Sequence, residues 1–148
     1  MAAFADKDFA SRLGSMGDEA EGVFEQVYEK GWVRWGFNRP PISVASLATK
    51  VRYAPDYITS DGFVECMGFG KAQVLRLKVE KHIALLQWHQ EMPTRLFVWD
   101  GTNQRYTYVT MDQLTDSIGD ANRGFFPEGK QTWDIPIDAL GGEWVQKS

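Results

Sequence analysis

The chain has a single cysteine, Cys66, and only two histidines in its 148 residues. One thiol can neither close an intramolecular disulfide nor build a thiolate zinc cage, and such sparing use of cysteine fits a reducing compartment. The histidines, His82 and His89, are two helical turns apart, too far for the adjacent-turn pair of a zinc helix. No apolar run is long enough to span a bilayer. The start Met1-Ala2-Ala3-Phe4-Ala5 is broken at once by Asp6, Lys7 and Asp8, so it lacks the apolar stretch of a signal peptide. Neither Gly-x-Ser-x-Gly nor Gly-x-x-x-x-Gly-Lys-Ser/Thr occurs, which removes nucleophile-elbow hydrolases and P-loop proteins. A basic excess is also missing: the formal net charge is −4 and the isoelectric point about 5.2. Contact with a polyanion must therefore come from local clusters among the 16 Lys and Arg. The resulting expectation is a soluble, cytoplasmic protein with no membrane partner.

What is present is a foldable composition, 43% hydrophobic and 14% aromatic, enough for one domain with a real core. Its most informative stretch runs from Arg52 to Met67. Tyr53, Tyr57 and Ile58 favour extended structure, Pro55 blocks a helix, Ser60-Asp61-Gly62 is a turn signal, and Phe63 to Met67 is a second extended run. This predicts strand, turn, strand, with Asp56 and Glu65 near one another. Alternation puts Glu65 on the face of Phe63 and Met67, opposite Val64 and Cys66. An acid on such a strand needs a partner. Two carboxylates on neighbouring strand ends suit a hard divalent cation. An edge aspartate and a salt-bridged glutamate would leave the same spacing, which by itself does not decide between them.

Pro55-Asp56, a turn, then Gly62-Phe63-Val64-Glu65 and Gly68 resembles the core motif of the PD-(D/E)XK nucleases. The upstream Glu-rich run ending in Lys30-Gly31 and the chain length are most similar to the phage endonuclease I branch, which resolves Holliday and other branched DNA junctions. The resemblance covers roughly the first two-thirds of the chain. It implies an α/β, restriction-endonuclease-like core: a mixed central sheet flanked by helices, here followed by a C-terminal hairpin and small helix. It further implies an endonuclease hydrolysing DNA phosphodiesters with Mg²⁺ or Mn²⁺, acting as a homodimer in the cytoplasm of a host cell. Asp56, Glu65 and a first-helix glutamate would hold the metal, with the Cys66 backbone carbonyl. Glu21 matches that glutamate best, with Glu19 and Glu25 as fallbacks. One departure stands out, because the motif lysine two residues after the second acid is Met67 here. A catalytically degenerate module that binds nucleic acid or a protein is therefore the alternative.

The remaining elements follow the chain. Residues 1–16 form a tail or arm, and 17–148 a single nuclease-like domain. Asp18 to Gly31 has acids in its first turn and apolar residues at Val23, Phe24, Val27 and Tyr28, predicting an amphipathic helix. Trp32 to Phe37 predicts a strand, and the polar run 43–50 a loop. Gly68-Phe69-Gly70-Lys71 suggests a flexible elbow, and Leu75 to about Glu91 a helix, although Leu75, Leu77 and Val79 also alternate. Lys71, Lys78 and Lys81 are candidates to replace the motif lysine, the latter two preferred because a helix holds a side chain more rigidly. Arg34, Arg39, Lys50, Arg52 and Arg76 could meet phosphates, or be ordinary surface. Arg95 to Val109 predicts a hairpin, Thr110 caps a short helix through Ile118, residues 119–130 form a loop, and Trp133 to Leu140 is a strand-to-helix transition.

Overall fold

Alternation and turn chemistry around Asp56 produce the expected pairing in the computed structural model, which describes residues 16–36, 48–119 and 121–148. In chain order the elements are α1 (Met16–Val27), β1 (Trp32–Arg34), α2 (Thr49–Arg52), β2 (Tyr57–Thr59), β3 (Gly62–Phe69), β4 (Val74–Lys78), α3 (Val79–His89), β5 (Thr94–Asp100), β6 (Arg105–Thr110), α4 (Met111–Ile118), β7 (Asn122–Phe125), β8 (Gln131–Pro136), a 3₁₀ turn (Ile137–Ala139) and β9 (Val145–Gln146). Six strands form one sheet in the order β1-β2-β3-β5-β6-β9. Within it β3 and β5 are parallel, joined through β4 and α3, and the other neighbours are antiparallel. A second sheet, β4-β8-β7, is antiparallel throughout. The architecture is the expected one, a mixed sheet flanked by helices.

The two faces of β3 carry two cores. Val64 and Cys66 pack with Tyr57, Phe97 and Trp99 beneath Ala20, Val23 and Phe24 of α1. On the opposite face Phe69, Leu96 and Val98 meet Leu85 of α3, Met111 and Leu114 of α4, and Leu75, Leu77 and Ile135 of the second sheet. Truncating a core leucine such as Leu85 to alanine costs about 2–5 kcal/mol. Glu65 lies on this second face as alternation requires. At Gly62 φ is +123°, and a Cβ would sit 2.1 Å from the Pro93 carbonyl oxygen, so the turn into β3 requires glycine. Thr110 and Gln113 form a reciprocal capping box that starts α4.

Several local expectations change. Leu75 and Leu77 belong to strand β4, not to the following helix, because β8 pairs with them and makes alternation the governing period. Gly68 and Phe69 are not an elbow; they continue β3, paired with Trp99 and Asp100, since a full ladder overrides glycine's conformational freedom. The 119–130 loop contains β7, whose largely exposed residues give little apolar alternation to detect. Thr49 and Lys50, expected in the 43–50 loop, open a short helix, Thr49–Arg52. The proposed arm, apart from Met16, and Arg39 lie outside the described residues.

Candidate functional site

The site forms just before β2 begins, at Asp56. The β2 ladder with β3 runs from Thr59↔Gly62 to Tyr57↔Val64, and beyond it the Cys66 N–H has lost its strand partner. Asp56 Oδ2 accepts that N–H at 2.9 Å. The Asp56 backbone is held too, its carbonyl accepting from the Trp35 N–H at 2.8 Å and the Gly36 N–H at 3.2 Å. Gly36 permits this approach, since a Cβ would stand 2.5 Å from the Pro55 carbonyl oxygen.

Two glutamates close on Asp56 from opposite faces of the sheet. Glu21 of α1 is within hydrogen-bonding reach of Asp56, and Arg34 Nη2 donates to Glu21 Oε1 at 3.0 Å. Glu65 Oε2 pairs with Lys81 Nζ of α3 at 2.9 Å. Its other oxygen, Oε1, is buried without a hydrogen-bond partner. All three acids are buried.

Burial pushes the Asp56 carboxyl well above the usual aspartate range, and the charges of Glu65 and Glu21 push it further; the Cys66 N–H and Lys81 oppose this without cancelling it. Glu21 is raised by burial against the opposing pull of Arg34. Burial disfavours the Lys81 ammonium, but Glu65 and Asp56 outweigh it and raise its pKa, so it keeps its proton. Burial first, then the three carboxylates, raises the Cys66 thiol well above its ordinary value, which makes it a poor nucleophile.

Glu21 and Glu65 thus crowd Asp56 with like charge, which a proton or a bound cation relieves. Oxygen donors and an orphaned carboxylate oxygen fit Mg²⁺ or Mn²⁺. Among the described residues no three His, Cys, Asp or Glu side chains already stand as a finished metal cage, so the fit rests on donor chemistry rather than on ready coordination.

The other candidate residues are engaged elsewhere. Lys78 Nζ lies 3.5 Å from Glu128 and 5.3 Å from the Phe126 ring centroid. Lys71 is in the turn beyond the end of β3. Lys50 pairs with Glu91 at 2.6 Å and covers Trp88, Arg52 pairs with Glu80 at 2.9 Å, and Arg76 pairs with Asp134 at 3.2 Å. Arg34, a candidate to meet phosphate, donates to Glu21. Of the fallbacks, Glu19 is exposed, and Glu25 accepts the Tyr57 hydroxyl at 2.5 Å. Both histidines have structural partners: His82 meets Thr115 Oγ1 at 3.3 Å, and His89 Nδ1 accepts the Thr94 N–H at 3.0 Å.

Compared with known structures, the chain superposes on Archaeoglobus fulgidus Hjc, a Holliday junction resolvase from an archaeal hyperthermophile, with a TM-score of 0.50 over 84% of this chain and 91% of that one. The chain shares the fold of that protein. At 10% identity the likeness concerns the fold alone. No protein-family profile matches the sequence, nor does any curated protein. Among the described residues no helix is long and apolar enough to cross a membrane.

Within this restriction-endonuclease-like fold, two features of the cluster escaped the sequence. The pairing of Arg34 with Glu21 joins a strand to a helix and leaves no local pattern. Lys81 differs from Lys78 only through the strand-to-helix boundary at 78/79, whose signal was the alternation of Leu75, Leu77 and Val79.

Proposed function

We propose that the chain is a divalent-metal-dependent DNA endonuclease of the PD-(D/E)XK type, akin to the phage endonuclease I branch, that hydrolyses phosphodiesters in branched DNA of the Holliday kind. The observation that carries this reading is the 2.9 Å contact of Lys81 Nζ with Glu65. It supplies from the next helix the cation that the motif lacks at Met67.

Asp56, Glu65 and Glu21 would hold Mg²⁺ or Mn²⁺. The Cys66 carbonyl is available as well, because a strand residue's C=O points to the side of its N–H, and that N–H faces Asp56. When bound, the ion supplies Lewis acidity toward a phosphate oxygen and neutralises its charge. Lys81 keeps its proton, so it serves as a hydrogen-bond donor that orients water and steadies charge developing on the phosphate, not as the base. Arg34 keeps Glu21 at the site. A homodimer would provide the two cuts that resolving a junction needs, and a cytoplasmic location fits the lone buried cysteine.

The test is cleavage of a labelled four-way junction, a matched duplex and a single strand in Mg²⁺ and Mn²⁺, with Asp56→Ala and Lys81→Met alongside. Cleavage should favour the junction and fall by about 10²–10³-fold in either variant. A folded wild type that cuts none of these substrates sinks the proposal. It would leave the alternative that Met67 favours, a nuclease-fold module without activity that binds nucleic acid or a protein. Size-exclusion chromatography with light scattering tests the dimer.

A further inference from the structure

Outside the acidic cluster, charged groups of the described residues converge on Glu80, the residue before Lys81. Glu80 Oε2 pairs with Arg52 Nη2 of α2 at 2.9 Å, and Oε1 with Lys130 Nζ from the turn between β7 and β8 at 2.6 Å. Lys78, the last residue of β4 and the residue before that helix, pairs with Glu128 of that turn at 3.5 Å. Among the described residues three cations therefore pair with two acids, Glu80 and Glu128. Arg52 also retains a buried Nε with no partner.

This arrangement joins three separate elements at the first turn of α3, whose Lys81 reaches Glu65. Successive helix residues diverge by about 100°, so Glu80 points away from the pocket that Lys81 enters. The cations are not sealed in: the Lys130 and Arg52 side chains are 40% and 18% exposed, and Glu80 is 28% exposed.

We propose that Arg52 and Lys130, held apart and masked by Glu80, are a phosphate clamp for the DNA backbone next to the bond cut at the Asp56–Glu65–Lys81 cluster. The inference rests on the nuclease reading and names the surface along which its substrate enters. A phosphodiester is the fitting occupant because it offers each cation an anionic oxygen in place of a carboxylate. Glu80 then acts as a resident competitor. It keeps the clamp ordered in free protein and sets a cost for displacing it, and Lys130, from the turn and the more exposed of the two cations, moves first.

The experiment measures equilibrium binding of a labelled four-way junction by full-length protein in Ca²⁺, over 50–200 mM salt, for wild type, Glu80→Gln, Lys130→Met and Arg52→Met. Thermal melts check folding, and cleavage is followed separately in Mg²⁺. Glu80→Gln should bind about 3–10-fold more tightly, because it removes the competing charge, while Lys130→Met binds more weakly and lowers the salt slope by about one. A purely structural ion network predicts the opposite for Glu80→Gln: a lower melting temperature with unchanged or weaker DNA binding. That result overturns the clamp, as does an unchanged slope in folded Lys130→Met, which keeps the test open should Arg52→Met fail to fold. If wild type binds and cuts junctions while Glu80→Gln and Lys130→Met behave like it, only the clamp fails. If wild type binds no DNA, the nuclease reading fails and takes the clamp with it.

Discussion

Asp56 and Asp100 are both buried aspartates at strand ends, yet their surroundings are opposites. Asp100 receives the N–H groups of Thr102 and Asn103 at 3.0 and 3.1 Å, the Asn103 amide and the Arg105 guanidinium at 2.9 Å each, and the Gln73 amide at 3.3 Å. Burial would raise its pKa, but these donors outweigh it and hold the carboxyl below the usual range. Asp56 receives the Cys66 N–H and is otherwise crowded by Glu21 and Glu65, and its pKa rises. An acid that serves the fold is saturated with donors. One surrounded by other acids is stable only with a proton or a bound cation, which is the condition of a metal site.

The contrast is sharpest in stability. Asp100→Ala should lose about 2–4 kcal/mol in denaturant melts, because it removes the buried acceptor of the Arg105 guanidinium and the turn amides. A loss under 1 kcal/mol would mean that the hairpin does not depend on this carboxylate. Arg34→Met should cost about 1–3 kcal/mol, by removing the guanidinium that bonds the buried Glu21 carboxylate, and should weaken Mg²⁺ binding in calorimetry. Asp56→Asn goes the other way. In metal-free protein it should raise the melting temperature by roughly 2–4 °C, since an amide still accepts from Cys66 and the repulsion is gone. A lower melting temperature would contradict the crowding.

The same contrast appears against pH. The raised Asp56 pKa means that the folded state binds the proton more tightly than the unfolded chain. Its contribution is therefore complete below the unfolded value of roughly 3.9 and is lost as pH rises through the folded value. Metal-free stability should decline on that limb, Mg²⁺ should restore it, and Asp56→Asn should flatten it. For Asp100 the sign is reversed: its contribution is present above roughly pH 3.9 and disappears as pH falls through the lowered folded value. Melts across pH with and without Asp100→Asn would expose that acid limb. The smallest expected effect is Met67→Lys. With Lys81 already beside Glu65, cleavage should change by less than about tenfold, or roughly 1.4 kcal/mol of barrier. A rise from no activity would instead identify a decayed site.

Much of the fold was legible because its signals are local. Pro55, the Ser60-Asp61-Gly62 turn and the alternation through Met67 announced β2 and β3, and Thr110 announced α4. Strand β7 was not legible, since its residues are mostly exposed and owe their conformation to β8. The start of α3 was misplaced for a related reason. Leu75 and Leu77 suit either period, and only pairing with Ile135 and Trp133 makes them strand. Among the candidate site residues, Asp56 and Glu65 stood out by their motif, whereas the choice among Lys71, Lys78 and Lys81 turned on that same boundary.

The sequence by itself determined which side of β3 carries Glu65, where the chain turns and where α4 begins, because period, turn residues and caps act over a few neighbours. Only the tertiary structure decided that β5 lies parallel beside β3, that Glu21 and Glu65 meet Asp56 from opposite faces, and that Lys81 and Arg34 are their counter-ions. It also decided that Asp56 is raised and Asp100 lowered. A carboxylate's charge state depends on every group packed around it, and those groups are distant in the chain.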